Sequence, residues 1–147
     1  MRTFKFRAWD NKRKFMDDVW CIDTEHDEVS FSHHNASYLQ DCDIMQCTGL
    51  KDIDGVDIYE GDIIEDNVMQ GTKDPNVWEL VDLRMVIKWN ESVGAFMRYR
   101  GKYGYGYLVN NKRPKVVGNI YEDWDLIKDD KFTTGERIYE QDEHERV

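Results

Sequence analysis

Five side chains of this chain could be grouped into a zinc site, three cysteines and two adjacent histidines: Cys21, Cys42, Cys47, His33 and His34. A structural zinc site needs four such ligands at short spacings, commonly starting with a Cys-x-x-Cys pair. No such pair is present, and the intervals fit no standard zinc site. We therefore predict that the cysteines fill the core, and we expect neither a metal site nor a cofactor.

Two groups of carboxylates invite other chemistry. Glu60 and Asp62 could act as general acid and base if their environments differed. Residues 52–55, Asp-Ile-Asp-Gly, resemble part of a calcium loop, but an EF-hand aligned on that glycine would have Leu50 and Gly61 as its first and twelfth ligands, and neither has a side-chain oxygen. Because tight turns also require Asp and Gly, both groups are interpreted as turn residues, and no catalytic residue is predicted.

Two motifs that mark common enzyme classes are missing. The sequence contains no Gly-x-Ser-x-Gly nucleophile elbow and no Gly-x-x-x-x-Gly-Lys-Ser/Thr phosphate loop. The chain is therefore predicted not to be an enzyme, and an enzyme of unrecognised type is kept only as the third functional class.

One stretch interleaves basic and aromatic residues, and residues 92–121 contain no acidic residue. Basic groups of this kind can bind phosphates while aromatic rings stack on bases. The predicted nucleic-acid or partner contacts are Arg98, Tyr99, Arg100, Lys102, Tyr103, Tyr105, Tyr107, Lys112, Arg113 and Lys115. The alternatives are a sheet edge on which tyrosines pack across strands, and a surface that binds a protein partner.

Charge weighs against general nucleic-acid binding. The 147 residues include 20 basic and 30 acidic side chains, a net charge of −10, and a nucleic-acid surface needs a basic footprint. No signal peptide and no apolar membrane span is visible, and three cysteines without a disulfide spacing favour a reducing compartment. We expect a cytoplasmic protein with one domain over residues 1–127 and a charged tail, mobile or weakly helical, over residues 128–147.

Hydrophobic alternation predicts a mainly β fold. The clearest strand spans residues 81–89, where every second residue is apolar and three of the four between are polar. Residues 65–76 are predicted to be an exposed loop, and 122–127 a helical turn that inserts Trp124 and Leu126 into the core. The predicted fold is a small barrel-like domain of short antiparallel strands with little helix, closing around residues 58–121, and the alternative is α+β.

Four sequence blocks, taken in order, resemble the YopX family of phage and prophage proteins. The blocks are Lys5-Phe6-Arg7-Ala8-Trp9-Asp10 with Met16; Met45–Asp52 running through Gly55 into Ile58–Ile64; Val86–Trp89 with Phe96; and Val116–Glu122. The resemblance covers residues 4–127. It implies a mainly β fold and a phage or prophage origin, and it supplies no function and no catalytic motif.

The first functional class is a phage accessory protein that binds a host or phage protein in the bacterial cytoplasm without catalysis. The second is a small β protein that binds nucleic acid through residues 98–115, although the net charge disfavours it. No membrane partner is expected, and a homo-oligomer is compatible with the sequence.

Overall fold

The computed structural model describes residues 4–101, 103–108 and 114–128, and the chain divides into two compact units. Unit 1 consists of the residues up to Leu50 together with Asp57–Glu60, and unit 2 consists of Lys51–Val56 and the residues from Gly61 onward. The predicted single domain ending at residue 127 stays a prediction. Residues 129–147 of the predicted tail lie outside the described residues.

Unit 1 is built on a six-stranded sheet with the strand order β4-β3-β2-β1-β5-β6. A short 3-10 helix over Leu39–Asp41 precedes β5. The strands are β1 (Phe6–Asp10), β2 (Phe15–Asp23), β3 (Glu28–Phe31), β4 (Ser37–Tyr38), β5 (Cys42–Lys51) and β6 (Asp57–Tyr59). The apolar members of the alternating pattern pack on one side of this sheet, where Ala8, Val29 and Phe31 are buried.

Unit 2 contains a five-stranded antiparallel sheet with the order β10-β9-β8-β7-β11. The strands are β7 (Asp62–Gly71), β8 (Trp78–Asn90), β9 (Ala95–Arg100), β10 (Tyr103–Tyr107) and β11 (Lys115–Asn119). The predicted strand over residues 81–89 is confirmed and is longer than expected. The predicted loop over residues 65–76 is wrong for residues 65–71, which continue β7 because they pair with residues 78–84 of β8.

The mainly β class with little helix is confirmed. In the part of the chain that the structure describes, however, the strands form two sheets and no closed barrel, which corrects the expected barrel-like closure. Closure would require the two edge strands of a sheet to pair with each other. In the unit 2 sheet, β11 pairs with β7 at one edge and β10 pairs with β9 at the other.

The helical turn that the sequence predicts near residues 122–127 packs against the core of unit 2. A 3-10 helix over Trp124–Ile127 brings Ile127 against the buried Ile63 and Val86, with Trp124 and Leu126 packed beside them. Asn119 starts this turn, because its Oδ1 accepts from the amides of Tyr121 at 3.0 Å and Glu122 at 2.9 Å.

Gly118 is needed at the start of the same turn. A Cβ at this position would lie 2.5 Å from Oδ2 of Asp123, and that oxygen accepts from the Asn119 amide at 3.0 Å. A glycine followed by asparagine therefore lets the carboxylate close over the backbone.

Candidate partner-binding surface

The acidic turn over residues 52–55 holds the backbone, as the sequence predicts. Asp52 is buried, and its Oδ1 accepts from the amides of Asp54 at 2.8 Å and Val56 at 2.9 Å, while Oδ2 accepts from the Val116 amide at 3.0 Å. Burial opposes ionisation of Asp52, but these amides outweigh it and hold the pKa below its ordinary value. Gly55 supplies the positive φ of +82° that the turn requires.

Glu60 and Asp62 have separate structural surroundings. The Glu60 carboxylate accepts from the Gln46 amide at 3.0 Å, and burial raises the pKa of this half-buried group. Arg7 donates from Nη2 to the Glu60 carbonyl at 3.1 Å. Asp62 is buried at the start of β7, opposite Asn119 of β11. Each acid therefore has structural contacts of its own, Glu60 with Gln46 of β5 and Asp62 with the pairing of β7 and β11.

The three cysteines have different surroundings. His33 and His34 contact a residue that the sequence did not indicate as a candidate. Cys21 is exposed, Cys42 is half-buried and Cys47 is buried. Within the described ranges, no group of three or more histidine, cysteine or acidic side chains could hold a metal ion. His33 and His34 both bind the carboxylate of Asp17 in unit 1. No motif links residues 16 and 17 positions apart, so only the fold could reveal this cluster.

The arginines of the predicted contact stretch point into the protein. Arg98 and Arg100, in β9, are buried with 6% and 9% exposure. Nη1 of Arg98 lies 2.9 Å from Oδ2 of Asp66, a carboxylate that is itself largely buried. A guanidinium in this position is not presented to a phosphate. The Arg98–Asp66 ion pair therefore has a structural role in the sheet.

The tyrosines and the remaining basic residues of the stretch differ in their surroundings. The Tyr99 hydroxyl accepts from Nδ2 of Asn90 at 2.6 Å, whereas Tyr107 and Lys115 are exposed. Tyr103 and Tyr105 belong to the edge strand Tyr103–Tyr107, which pairs with β9 and contains a bulge. Lys102, Lys112 and Arg113 lie outside the described residues. Contact with nucleic acid or a partner through this stretch stays a prediction.

The longest strand pair of unit 2 extends beyond the neighbouring strands. β7 and β8 pair from Ile63 with Val86 to Gly71 with Trp78. Within the described residues, β11 pairs with β7 only over Asp62–Glu65, and β9 pairs with β8 only over Val86–Asn90. Residues 66–71 and 78–83 are therefore a two-stranded extension, which we call the ribbon.

The turn at the end of the ribbon is closed by its own hydrogen bonds. The Thr72 amide donates to the Val77 carbonyl at 3.1 Å, and the Val77 amide donates to the Asp74 carbonyl at 3.0 Å. Oγ1 of Thr72 donates to the Val77 carbonyl at 3.1 Å, and Oδ1 of Asp74 accepts from the Asn76 amide at 2.9 Å. These bonds fix the ribbon at its far end.

The two faces of the ribbon differ. Paired residues share a face and successive residues alternate, so Met69, Leu80 and Trp78 lie on one side, with Trp78 beside Gly71. We call this side the ribbon face. Met69, Trp78 and Leu80 are 56%, 62% and 64% exposed. The opposite side carries Val68 and Leu83, which are buried.

Exposed acidic side chains lie on both sides of the ribbon and in its turn. Asp82 is on the ribbon face, Asp74 is in the turn and Glu79 is on the opposite side. Residues 66–83 contain a single basic residue, Lys73. Three large apolar side chains are therefore exposed together on an acidic ribbon, which makes this ribbon a candidate interaction surface.

The sequence indicates the ribbon only weakly, because this region is mostly polar. Residues 66–71 alternate apolar and polar residues poorly, and Gly71 and Pro75 suggest a loop. The pairing of Met69 with Leu80 depends on the register of β8, which extends well beyond the strand predicted from the sequence. The apolar face forms only when the two segments are aligned.

Comparison with known proteins gives a family and a fold. The model of a family described as YopX protein matches residues 5–128. Protein EF1440 from Enterococcus faecalis has a solved structure with a TM-score of 0.56 and 23% identity, covering 87% of this chain and 100% of its own. The structure of protein yopX from Bacillus subtilis has a TM-score of 0.48 and 16% identity, covering 88% of this chain and 98% of its own. No curated protein matches this chain.

In the part of the chain that the structure describes, no helix has the length and apolar character needed to traverse a membrane.

Proposed function

This chain belongs to the YopX family, and we propose that it is a phage or prophage accessory protein that binds a host or phage protein and does not act as an enzyme. The proposed place of action is the cytoplasm of the bacterial host. The ribbon face is the observation that supports this proposal.

Exposed tryptophan is the strongest part of this support. Burying a large apolar side chain is worth about 1.5–3 kcal/mol, so leaving Trp78 and Leu80 in water forgoes a substantial stabilisation. Binding would recover it, and tryptophan is enriched among residues that dominate interface energies. The hydrogen-bonded turn presents the face in a fixed arrangement, which lowers the entropy cost of association.

The charges around the face define the chemistry of the partner. Asp74, Glu79 and Asp82 repel an acidic surface and a phosphate backbone, and the net charge of −10 adds to this repulsion at long range. Complementary charges speed association and reject wrong partners. We therefore commit to a protein with an apolar groove bordered by lysine or arginine residues.

The test is an affinity pull-down from phage-infected cells, with and without nuclease, using the wild-type chain and the double variant Trp78→Ser/Leu80→Ser. The matched control is Trp20→Ser, which removes an equally exposed tryptophan, 72% accessible, from unit 1. We expect capture of a partner that survives nuclease, persists in the control and is lost in the double variant.

Binding of the purified partner then gives a quantity. Loss of a hot-spot tryptophan should weaken the Kd about 30-fold or more, corresponding to about 2 kcal/mol. Circular dichroism must show the same fold in all variants. Equal capture by the double variant contradicts the assignment of the ribbon face, and loss of all captured protein on nuclease treatment supports nucleic-acid binding instead.

A further inference from the structure

One carboxylate of unit 1 receives an unusual number of donors from a single loop. Asp17 of β2 has a side chain only 5% exposed. Its Oδ1 lies 2.9 Å from Nδ1 of His33, and its Oδ2 lies 2.8 Å from Nδ1 of His34 and accepts from the His33 amide at 2.8 Å. An ionised carboxylate only accepts, so both Nδ1 atoms must carry hydrogen.

Both imidazoles remain accessible to solvent although Asp17 is not. The side chains of His33 and His34 are exposed and half-exposed, and the His34 ring stacks on Phe15 at 3.8 Å between centroids with an interplanar angle of 8°. The Arg13 guanidinium lies 4.9 Å from the centroid of the same Phe15 ring. Protons from solvent can therefore reach the imidazoles, while the Asp17 carboxylate that contacts them stays buried.

The loop that supplies the histidines also forms part of a cavity wall. Arg13 donates from Nη2 to the carbonyls of Asn35 at 2.6 Å and Ala36 at 3.1 Å, and it also contacts Oγ of Ser37. Ala36 and Ser37 line a cavity of about 370 Å³ within unit 1. The other lining residues are Asp10, Lys12, Arg13, Glu28, Tyr38 and Asp41. The loop is thus tied to β2 at one end and to the β1–β2 turn at the other.

We propose that Asp17 and the His33–His34 pair form a proton-sensitive latch that fastens the loop over residues 32–36, and with it one wall of the cavity. The latch is tight while the His33 imidazole is charged and loosens when that imidazole is neutral. A buried carboxylate facing only neutral donors loses the charge assistance that makes such hydrogen bonds strong.

The charged groups around the latch agree with this direction. On β2, the Asp17 carboxylate accepts hydrogen bonds from both imidazoles, and the exposed Asp18 adds a further negative charge near His33. Arg13 lies over the Phe15 ring and binds the carbonyls of Asn35 and Ala36, and Ala8 of β1, which pairs with Asp17, carries no charge. The Asp17 carboxylate, with Asp18, raises the pKa of His33 above its ordinary value of 6.5.

The pH dependence follows from the direction of that shift. A histidine whose pKa is higher in the closed loop than in the open loop stabilises closure fully below about pH 6.5, and this contribution is lost as the pH rises through the raised pKa. Hydrogen bonds from both rings and the amides outweigh the opposing effect of burial and hold the pKa of Asp17 well below its usual range, so the carboxylate stays ionised throughout this interval.

The test combines histidine NMR titration with amide hydrogen exchange on the full chain. The His33 amide, which donates to Asp17, reports opening of the loop. We expect its protection factor, corrected for intrinsic exchange, to fall as the pH rises above about 6.5 and through the raised pKa of His33. The expected fall is about tenfold for each pH unit by which the coupled histidine titration lies above 6.5.

The decisive variant is His33→Gln/His34→Gln, which keeps amide donors but removes the titrating groups. Its protection factor should be independent of pH. His26→Gln is the matched control, because His26 forms an exposed pair with Asp23 at 2.8 Å outside the loop, and it should behave as wild type. A His33 titration at its ordinary value in the wild type, or the same pH-dependent loss of protection in the double variant, would overturn the latch.

Discussion

The two faces of the ribbon belong to the same strands and yet meet different surroundings. On one face, Asp66 is paired with Arg98 and lies beside the buried Val68 and Leu83. On the other, Met69, Trp78 and Leu80 stand in solvent. The inner face therefore buries a charged pair among apolar residues, whereas the outer face exposes three large apolar side chains. On this sheet, burial of a side chain follows its position in the strand register and not its polarity alone.

The largest expected effect tests the inner face. Asp66→Ala would leave the Arg98 guanidinium buried beside a missing carboxylate, and breaking a buried ion pair in this way costs about 3–5 kcal/mol. Urea unfolding followed by circular dichroism measures the change. Asp82→Ala, an exposed acid of the ribbon face, is the control and should stay within about 0.5 kcal/mol of wild type. Equal effects of the two variants would remove the distinction between the faces.

A smaller effect on stability is expected for substitution of Gly118 in β11, compared with Gly71 at the far end of the ribbon. Gly118→Ala places a Cβ 2.5 Å from the Asp123 carboxylate, and overpacking of this kind costs about 1–3 kcal/mol. Gly71→Ala meets only the Trp78 ring, at 3.9 Å, so it should be neutral or stabilise by about 0.5 kcal/mol. Thermal unfolding of both variants compares them directly. A stable Gly118→Ala protein would show that Asp123 is free to move.

The smallest effect on stability belongs to the ribbon face itself. Trp78→Ser/Leu80→Ser should unfold within about 0.5 kcal/mol of wild type, because neither side chain is buried. Urea unfolding measures this, and Ile87→Ala supplies the contrast, since a fully buried isoleucine should cost about 2–5 kcal/mol. A large loss of stability in the double variant would mean that the ribbon face packs against protein in the native state.

Regular alternation and turn chemistry made part of the fold predictable. Leu83, Met85 and Ile87 follow the period-two pattern and are buried in β8 as expected, and the exception to the pattern, Val86, is buried too. The Asp52 turn and the 3-10 helix that inserts Trp124 also follow from local patterns. Barrel closure was not predictable in the same way, because it depends on which edge strands pair.

The candidate sites were harder to predict because each joins distant segments. Arg98 reads as a surface arginine in a basic stretch until Asp66, 32 residues earlier, is placed beside it. His33 and His34 have no ligand spacing, and only the pairing of β2 with β3 brings them to Asp17.

The sequence by itself determined the class of this protein: mainly β strands, tight Asp-Gly turns and a YopX family signature. These properties depend on local backbone preferences and on the order of short motifs along the chain. The tertiary structure alone decided which charges are buried and which apolar side chains are exposed. Burial is set by register and by contacts across many residues, so the same arginine or tryptophan takes either role according to the strand that lies opposite it.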